Sequence, residues 1–269
     1  MHPSTFHPAD LIPLPGYARL RTVGSFEELA STSFGAAVNS GTGFQPVDQV
    51  HRLEADATSS RPGINALCWP RSLAGDFGEI VTQLGAGEGV EAHDETRLEA
   101  LALSPAGAAA RAILLADLQL LRDRGLAPEL NVIHAYPRDA ADALVTTDVH
   151  SFHADSAPAE AATWLCTYHG RPSDGLRNEE ARRRVDVPAT RAALLRDYGG
   201  PDDAGFREFL REHHYDLHYA PEPGAQPFSF GLGHLWRIAL DWPGSAVPPC
   251  LHRAPLPLPG DPPRLLLIS

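Results

Sequence analysis

The first half of the chain shows apolar residues at helical spacing. One run places them three or four positions apart, at Leu73, Phe77, Ile80, Val81 and Leu84. Gly85 follows the run and ends it, as glycine commonly does at helix C-termini. The pattern therefore predicts a helix that ends at residue 84.

A second helix carries a complete set of start and stop signals. Ser104 is a capping residue, Pro105 suits the first helical position, and Gly125 follows the last turn. An apolar stripe joins these ends, formed by Leu114, Leu118 and Leu121. We therefore expect a long amphipathic helix from residue 105 into the region of Arg122 and Arg124, whose charges suit a helix C-terminus.

The pattern changes after Pro128. Runs rich in β-branched and aromatic residues predict strands, at 130–136, 143–147, 162–168, 227–241 and 264–268. Helical segments are expected at 178–198 and 205–214, and the proline-rich segment 248–263 is expected to be a rigid loop and not a central strand.

This order predicts an α+β protein in which a β-sandwich or barrel has helices packed outside it. We interpret residues 1–60 as an N-terminal extension packed on the domain. Residues 61–269 are expected to form one domain, with a helical insert near 178–214.

Composition and charge exclude several classes of function. The net charge of −12 argues against nucleic acid or an anionic membrane as the main partner, because both need clustered positive charge. Three cysteines at wide spacing give no disulfide framework, and no apolar stretch is long enough to span a membrane. We expect a cytoplasmic protein acting on a small molecule.

The candidate chemistry lies in the strand-rich half. His153 and Asp155 stand two positions apart, so on a strand both side chains project to the same face. With His252 they would make a face of two histidines and one carboxylate, which suits Fe(II) and leaves positions open. The alternative is a chance pair, since the chain has 13 histidines.

Arg264 begins a strand whose following residues, 265–268, are all apolar. A guanidinium entering a buried site requires an anion, and its planar fork can hold a carboxylate with two parallel hydrogen bonds. The alternative is an edge arginine in a surface ion pair.

This combination resembles the Fe(II)/2-oxoglutarate-dependent oxygenase superfamily. Short segments also resemble an uncharacterised bacterial domain family, and they are found at residues 62–65 with Trp69, 145–148, 152–155, 165–168, 242–244, 252–255 and 264–267. The resemblance implies a double-stranded β-helix (jelly roll, cupin-like) core with flanking helices. It also implies Fe(II) held by His153, Asp155 and His252, with Arg264 binding the far carboxylate of 2-oxoglutarate.

Further residues are assigned from the same resemblance or from their position. Thr167 and Tyr168 are candidate hydroxyl partners for the co-substrate, with the sheet core as the alternative for Tyr168. Substrate contacts are expected from four residues: Asn65, Trp69, His150 and His169. For His150 a solvent-facing turn is an equal alternative, and His169 stands where those relatives tend to carry arginine.

The implied activity is a dioxygenase that uses Fe(II), 2-oxoglutarate and dioxygen to hydroxylate a small molecule or oxidise a related C–H bond. The alternatives are a metal-dependent hydrolase with the same triad and a non-catalytic metal-binding jelly-roll protein. His214 and His218 have H-x-x-x-H spacing, for which a polar surface helix is favoured over a zinc site.

Overall fold

The computed structural model describes residues 12–13, 17–35, 63–140, 143–214 and 217–269. Within them the chain is a mixed α+β fold with two seven-stranded sheets and six helices. The helices are α1 (Phe26–Ser31), α2 (Phe77–Leu84), α3 (Glu95–Glu99), α4 (Pro105–Arg122), α5 (Pro188–Tyr198) and α6 (Ala204–His214). None of these helices is long and apolar enough to cross a membrane.

The strands, in chain order, are β1 (Ile12–Pro13), β2 (Leu20–Thr22), β3 (Ala66–Trp69), β4 (Val90–His93), β5 (Glu129–Ile133), β6 (Phe152–His153), β7 (Ala162–His169), β8 (Asp174–Leu176), β9 (Ala181–Arg183), β10 (His218–Pro221), β11 (Phe228–Ser229), β12 (Leu235–Ala239), β13 (Leu251–Arg253) and β14 (Arg264–Ile268). Sheet A has the order β1-β11-β8-β13-β6-β10-β9, and sheet B has the order β2-β3-β12-β7-β14-β5-β4. From β5 to β7, and again from β11 to β14, consecutive strands belong to different sheets.

The helices predicted from residue spacing are confirmed. The Ser104 hydroxyl accepts a hydrogen bond from the Gly107 amide at 3.2 Å, and Pro105 opens α4. Such a cap contributes about 1 kcal/mol. Helix α2 ends at Leu84 but starts only at Phe77, because the Asp76 side chain caps it there.

Strand β7 divides two cores by the alternation of its side chains. Trp164, Cys166 and Tyr168 pack into an apolar cluster with α2 and α4 on the outer face of sheet B. Leu165 lies on the inner face, in a second cluster with residues of both sheets such as Phe230 of the sheet A side. The inner face of sheet B therefore faces sheet A.

Two strand assignments from the sequence were wrong. Residues 143–147 do not form a strand, because the Asp139 carboxylate accepts hydrogen bonds from the backbone amides of Thr147 and Asp148. Conversely, Leu251–Arg253 forms the strand β13 between β8 and β6 in sheet A, although its surroundings are rich in proline. These three residues include no proline, so their backbone amides remain available to both neighbours.

The region 178–214 contains less helix than predicted. Two 3₁₀ turns, Asn178–Glu180 and Arg184–Asp186, flank β9 before α5 begins at Pro188. Helix α6 ends at His214, and His218 lies on strand β10, buried, so the proposed continuous helix through both histidines was wrong.

Part of the predicted N-terminal extension belongs to the fold itself. Strand β2 pairs in parallel with β3, and Phe26 and Leu29 of α1 are buried in the helix-side core. The rest of that prediction, residues 1–11, 14–16 and 36–60, lies outside the described residues.

Candidate metal centre

The three predicted ligands meet on adjacent strands of sheet A. His153 on β6 lies directly opposite His252 on β13, so both side chains project to the same face. Asp155 follows two positions after His153, just past the end of β6. One potential ligand atom from each residue lies within 4.8 Å of the others. The Nε2 atoms of His153 and His252 are 3.8 Å and 3.7 Å from the Asp155 carboxylate oxygens.

Backbone carbonyls set the orientation of both imidazoles. The Nδ1 atom of His153 is 2.8 Å from the Ser151 carbonyl oxygen, and that of His252 is 3.4 Å from the Cys250 carbonyl. A carbonyl only accepts, so each Nδ1 carries the proton and each Nε2 keeps its lone pair for a metal. The Thr163 hydroxyl donates to Asp155 at 2.6 Å and fixes the third ligand.

The protonation of the site favours metal binding. Burial, reinforced by the neighbouring His252, lowers the pKa of His153 to about 4, so its imidazole is neutral at pH 7. Burial opposes ionisation of Asp155, but His252, the Thr163 hydroxyl and His153 together hold its pKa below the ordinary value. A cation can therefore bind without first displacing a proton from either group.

The triad lines a cavity of about 270 Å³ between the two sheets. Arg264 of β14 lines the same cavity and is 7% exposed. Its Nε donates to the Arg171 carbonyl at 2.7 Å, and its NH2 group contacts the hydroxyls of Ser173 at 3.0 Å and Thr167 at 3.4 Å. The other terminal nitrogen lies 3.4 Å from the Tyr136 hydroxyl.

Arg264 makes no ion pair with any carboxylate in the described part of the chain. Burial lowers its pKa in spite of the favourable influence of Tyr136 and Asp174. A buried cation surrounded by neutral oxygens is energetically expensive, and an incoming anion would relieve that cost.

A larger cavity, about 630 Å³, lies on the helix side of sheet B, where Trp164, Arg237 and Trp242 line it. Size alone would favour it as a binding site. Among the described residues, the group of side chains that could hold a metal lines the smaller cavity, together with the guanidinium of Arg264. We therefore place the candidate site there.

Of the residues predicted to bind the co-substrate, the structure brings Thr167 to the site and not Tyr168. Thr167 contacts Arg264, as described above. Tyr168 projects to the opposite face of β7, where its hydroxyl donates to the Asp117 carboxylate at 2.6 Å. The sheet-core alternative for Tyr168 is therefore the correct one.

None of the four predicted substrate residues lines the cavity. Asn65 is fully buried and bonds to Asn178 at 2.8 Å and to the Pro248 carbonyl, where it holds the loop before β13. The guanidinium of Arg71 lies over the ring of Trp69, at 4.8 Å.

The two histidines of this set also lie outside the cavity. His150 is buried, so it does not occupy a solvent-facing turn; its Nδ1 is 3.0 Å from the Pro255 carbonyl, and its ring contacts Tyr136 edge-on at 5.7 Å. Through Tyr136 it touches the lining. His169 faces α2, close to Gly78.

The sequence did not single out several residues that the fold brings to this site. Thr163, Ser173 and Tyr136 supply hydroxyls to the triad or to Arg264. His218, which was considered from the sequence only as a partner of His214, lies opposite His153 on β10, with 5.5 Å between the ring centroids. Thr163 could have been found from its position on the β7 face opposite the helices, whereas His218 requires knowledge of the β6–β10 pairing.

Comparison of the chain with protein-family models, with curated proteins and with solved structures gave no match. The geometry alone therefore defines the site. Two imidazole nitrogens and one carboxylate converge from a single sheet, which leaves the opposite side of a bound cation free for exogenous ligands.

Proposed function

We propose that this protein is a non-haem Fe(II) oxygenase that uses 2-oxoglutarate to oxidise a small molecule. The observation that carries the proposal is the shared cavity. A two-histidine, one-carboxylate triad and a buried arginine without a carboxylate partner in the described residues both line it.

The strand order supports a jelly-roll core. The strands β5, β14, β7 and β12 are neighbours in sheet B, and the strands β6, β13, β8 and β11 are neighbours in sheet A. Every pairing within these two sets of four is antiparallel. Two such four-stranded sheets, built from strands that alternate between them, are the pattern of a double-stranded β-helix.

The residues present fit the proposed metal and co-substrate. His153, His252 and Asp155 would hold Fe(II), which supplies the redox chemistry with dioxygen when bound. Arg264 would bind one carboxylate of 2-oxoglutarate, assisted by the hydroxyls of Thr167 and Ser173. Thr163 keeps the Asp155 carboxylate in place, and the apolar side chains of Leu165 and Leu266 limit the access of water to the cavity.

The lining disfavours the hydrolase alternative. A zinc hydrolase needs a general base beside the metal-bound water, and in such enzymes a carboxylate commonly serves. Asp155 is the only carboxylate among the described residues that line the cavity, and it is already a ligand.

The proposal is tested by adding Fe(II) and 2-oxoglutarate to the protein without oxygen. We expect a weak visible charge-transfer band from the chelate. Arg264→Gln should need about 10–100 times more 2-oxoglutarate, the range expected when a charge-assisted contact is lost. The exposed Arg207→Gln is the control with the same charge change, and it should behave as the unaltered protein.

His153→Ala should fold but give no band. Tight Zn(II) binding by the unaltered protein, with no band from bound iron and 2-oxoglutarate, would favour the hydrolase. Iron binding without any response to 2-oxoglutarate or to oxygen would favour a non-catalytic protein.

A further inference from the structure

Sheet A carries a row of side chains that extends beyond the triad. Gly175, His252, His153 and His218 are directly opposite one another across β8, β13, β6 and β10. Residues in register on antiparallel neighbours share one face. The three imidazoles therefore stand side by side, with ring centroids 4.6 Å and 5.5 Å apart.

The two ends of this row differ. At the Gly175 end, a Cβ atom would overlap the Phe228 ring, so the protein's own aromatic side chain already fills the space. Phe230 adds to this filling, 6.4 Å from the His252 ring. A substrate therefore has no room at the Gly175 end.

The His218 end is polar and basic. Strand β10 pairs with β9 as far as Tyr219 opposite Arg183. Arg184 follows as the first residue of the 3₁₀ turn Arg184–Asp186, which contacts β10. Arg184 is partly buried, and its Nε donates to the Ser151 hydroxyl at 3.0 Å. The Ser151 carbonyl in turn accepts from His153, which ties Arg184 to the metal ligand.

The terminal nitrogens of Arg184 have no acceptor among the described residues. The two nearby carboxylates are already engaged. Asp139 accepts from the amides of Thr147 and Asp148, and Asp148 pairs with Arg138 at 3.2 Å and accepts from the His150 amide at 3.0 Å. A guanidinium held through Nε alone presents its other two nitrogens as a fork for a planar anion.

His218 supplies a second unsatisfied group at the same end. It is 9% exposed, and its Nδ1 atom is buried without a hydrogen-bond partner in the described part of the chain. Buried polar atoms are seldom left unpaired, so this nitrogen is a site for a ligand atom or an ordered water.

We propose that the primary substrate carries a carboxylate, which Arg184 binds, and that it reaches the metal from the His218 end of the row. This inference rests on the oxygenase proposed above and adds the chemical class of its substrate. It also separates two guanidinium sites, with Arg264 of sheet B for the co-substrate and Arg184, just after β9, for the substrate.

The test uses phenylacetate and 3-phenylpropionate as probes, each beside its uncharged amide. Ligand-observed NMR measures their binding to the full chain, with and without Mn(II), which enhances the relaxation of probe protons bound near the triad. The variants are Arg184→Gln, Arg184→Lys, Arg264→Gln and Arg182→Gln. Arg182 is the matched control, because it lies on β9 two positions away, is 48% exposed and pairs with Glu222.

We expect the carboxylates to bind more tightly than the amides and to be relaxed by Mn(II). Arg184→Gln should weaken carboxylate binding about 10–100-fold, and Arg184→Lys should weaken it less. Arg264→Gln, which alters only the proposed co-substrate site, should weaken it far less than Arg184→Gln, and Arg182→Gln should leave it nearly unchanged. Thermal unfolding of each variant tests whether it is folded. If Arg184→Gln is not folded, the change in carboxylate affinity is measured with Arg184→Lys instead.

Equal affinity in Arg184→Gln and the unaltered protein would overturn the inference, as would loss of binding only in Arg264→Gln, or no preference for carboxylates. Failure of the protein to bind Mn(II) or Fe(II) would instead remove the oxygenase proposal. The metal-free NMR titration would still decide whether Arg184 binds a carboxylate.

Discussion

Two arginines lie buried on opposite faces of strand β7, and they are partnered in opposite ways. On the helix face, Arg71 forms a salt bridge with Asp117 at 2.7 Å, with side chains 8% and 4% exposed. Its Nε also donates to the Gly233 carbonyl at 2.9 Å. On the cavity face, all the hydrogen-bond partners of Arg264 among the described residues are neutral oxygens.

The pKa shifts of the two arginines reflect this difference. Burial alone would lower the pKa of Arg71, but its hydrogen bond and charge interaction with Asp117 raise it above the ordinary value. For Arg264 burial prevails and the pKa falls. A buried arginine that carries its own carboxylate is part of the architecture, whereas Arg264, without one among the described residues, is the proposed site for an external anion.

The largest expected effect on stability comes from breaking the Arg71–Asp117 salt bridge. Asp117→Ala would leave the Arg71 charge buried without its carboxylate and also remove the acceptor of the Tyr168 hydroxyl. We expect a loss of about 3–5 kcal/mol in the free energy of unfolding, measured with denaturant. The exposed Asp123→Ala, at the end of the same helix, should change it by less than about 0.5 kcal/mol. A small loss in Asp117→Ala would contradict the view of Arg71 as a structural ion pair.

Two threonines on the cavity face allow the proposed metal site and the proposed anion site to be tested separately. Thr163→Val removes the hydroxyl that orients Asp155 and should weaken metal binding about 10–100-fold, the usual effect of a lost outer hydrogen bond. Thr167→Val, two positions along the strand, should leave metal affinity unchanged because its hydroxyl contacts Arg264. Calorimetric titration with Co(II) measures both. Unchanged affinity in Thr163→Val would contradict the view that this hydrogen bond orients Asp155 for metal binding.

The cavity side should also be the proton-sensitive side. Burial, and then the charge of Arg184, lowers the pKa of His218 to about 4 from 6.5. Between pH 6.5 and pH 4, His218 is protonated in the unfolded chain but stays neutral in the folded protein. Stability is therefore lost as the pH falls from 6.5 towards 4. Because part of the ring is still near solvent, we expect a contribution of about 1–2 kcal/mol.

Denaturant unfolding of the metal-free protein at pH 7 and pH 4.5 measures this contribution. His218→Gln should lose less stability between the two values than the unaltered protein, and the exposed His213→Gln should lose the same amount. If His218→Gln kept the full pH dependence, His218 would not be the buried neutral imidazole described above.

The smallest expected change in stability, that of Arg264→Gln, contrasts with the large loss expected for Asp117→Ala. Arg264→Gln removes a buried charge that has no carboxylate partner in the described residues, so the free energy of unfolding should change by less than about 1 kcal/mol, in either direction. The same denaturant experiment tests it. A loss as large as that of Asp117→Ala would mean that Arg264 has a structural role and not a ligand-binding one.

The sequence predicted what depends on local signals. Caps and apolar spacing located α2 and α4, and the apolar run after Arg264 located β14. The spacing of His153 and Asp155 indicated one face, which the structure confirms at the end of β6. These features depend on residues close together in the chain.

What depends on long-range pairing was beyond the sequence. The central position of β13 was missed because local proline content suggested a loop. His218 was considered only with His214, because its place beside His153 depends on the pairing of β10 with β6. Thr167 and Tyr168 point to opposite faces of β7, so only one of them can reach the cavity. A register shift of one residue would exchange their faces, and the sequence alone does not fix that register. Asn65 was misassigned because its buried partners come from residues 178 and 248.

The most direct test is a crystal structure of the full chain grown with Mn(II) or with Fe(II) under anaerobic conditions. Anomalous scattering should place one metal ion at bonding distance from Nε2 of His153, Nε2 of His252 and the Asp155 carboxylate, with its remaining positions taken by water or added 2-oxoglutarate. A metal bound elsewhere, or one enclosed by a further protein ligand that removes the open side, would contradict the account.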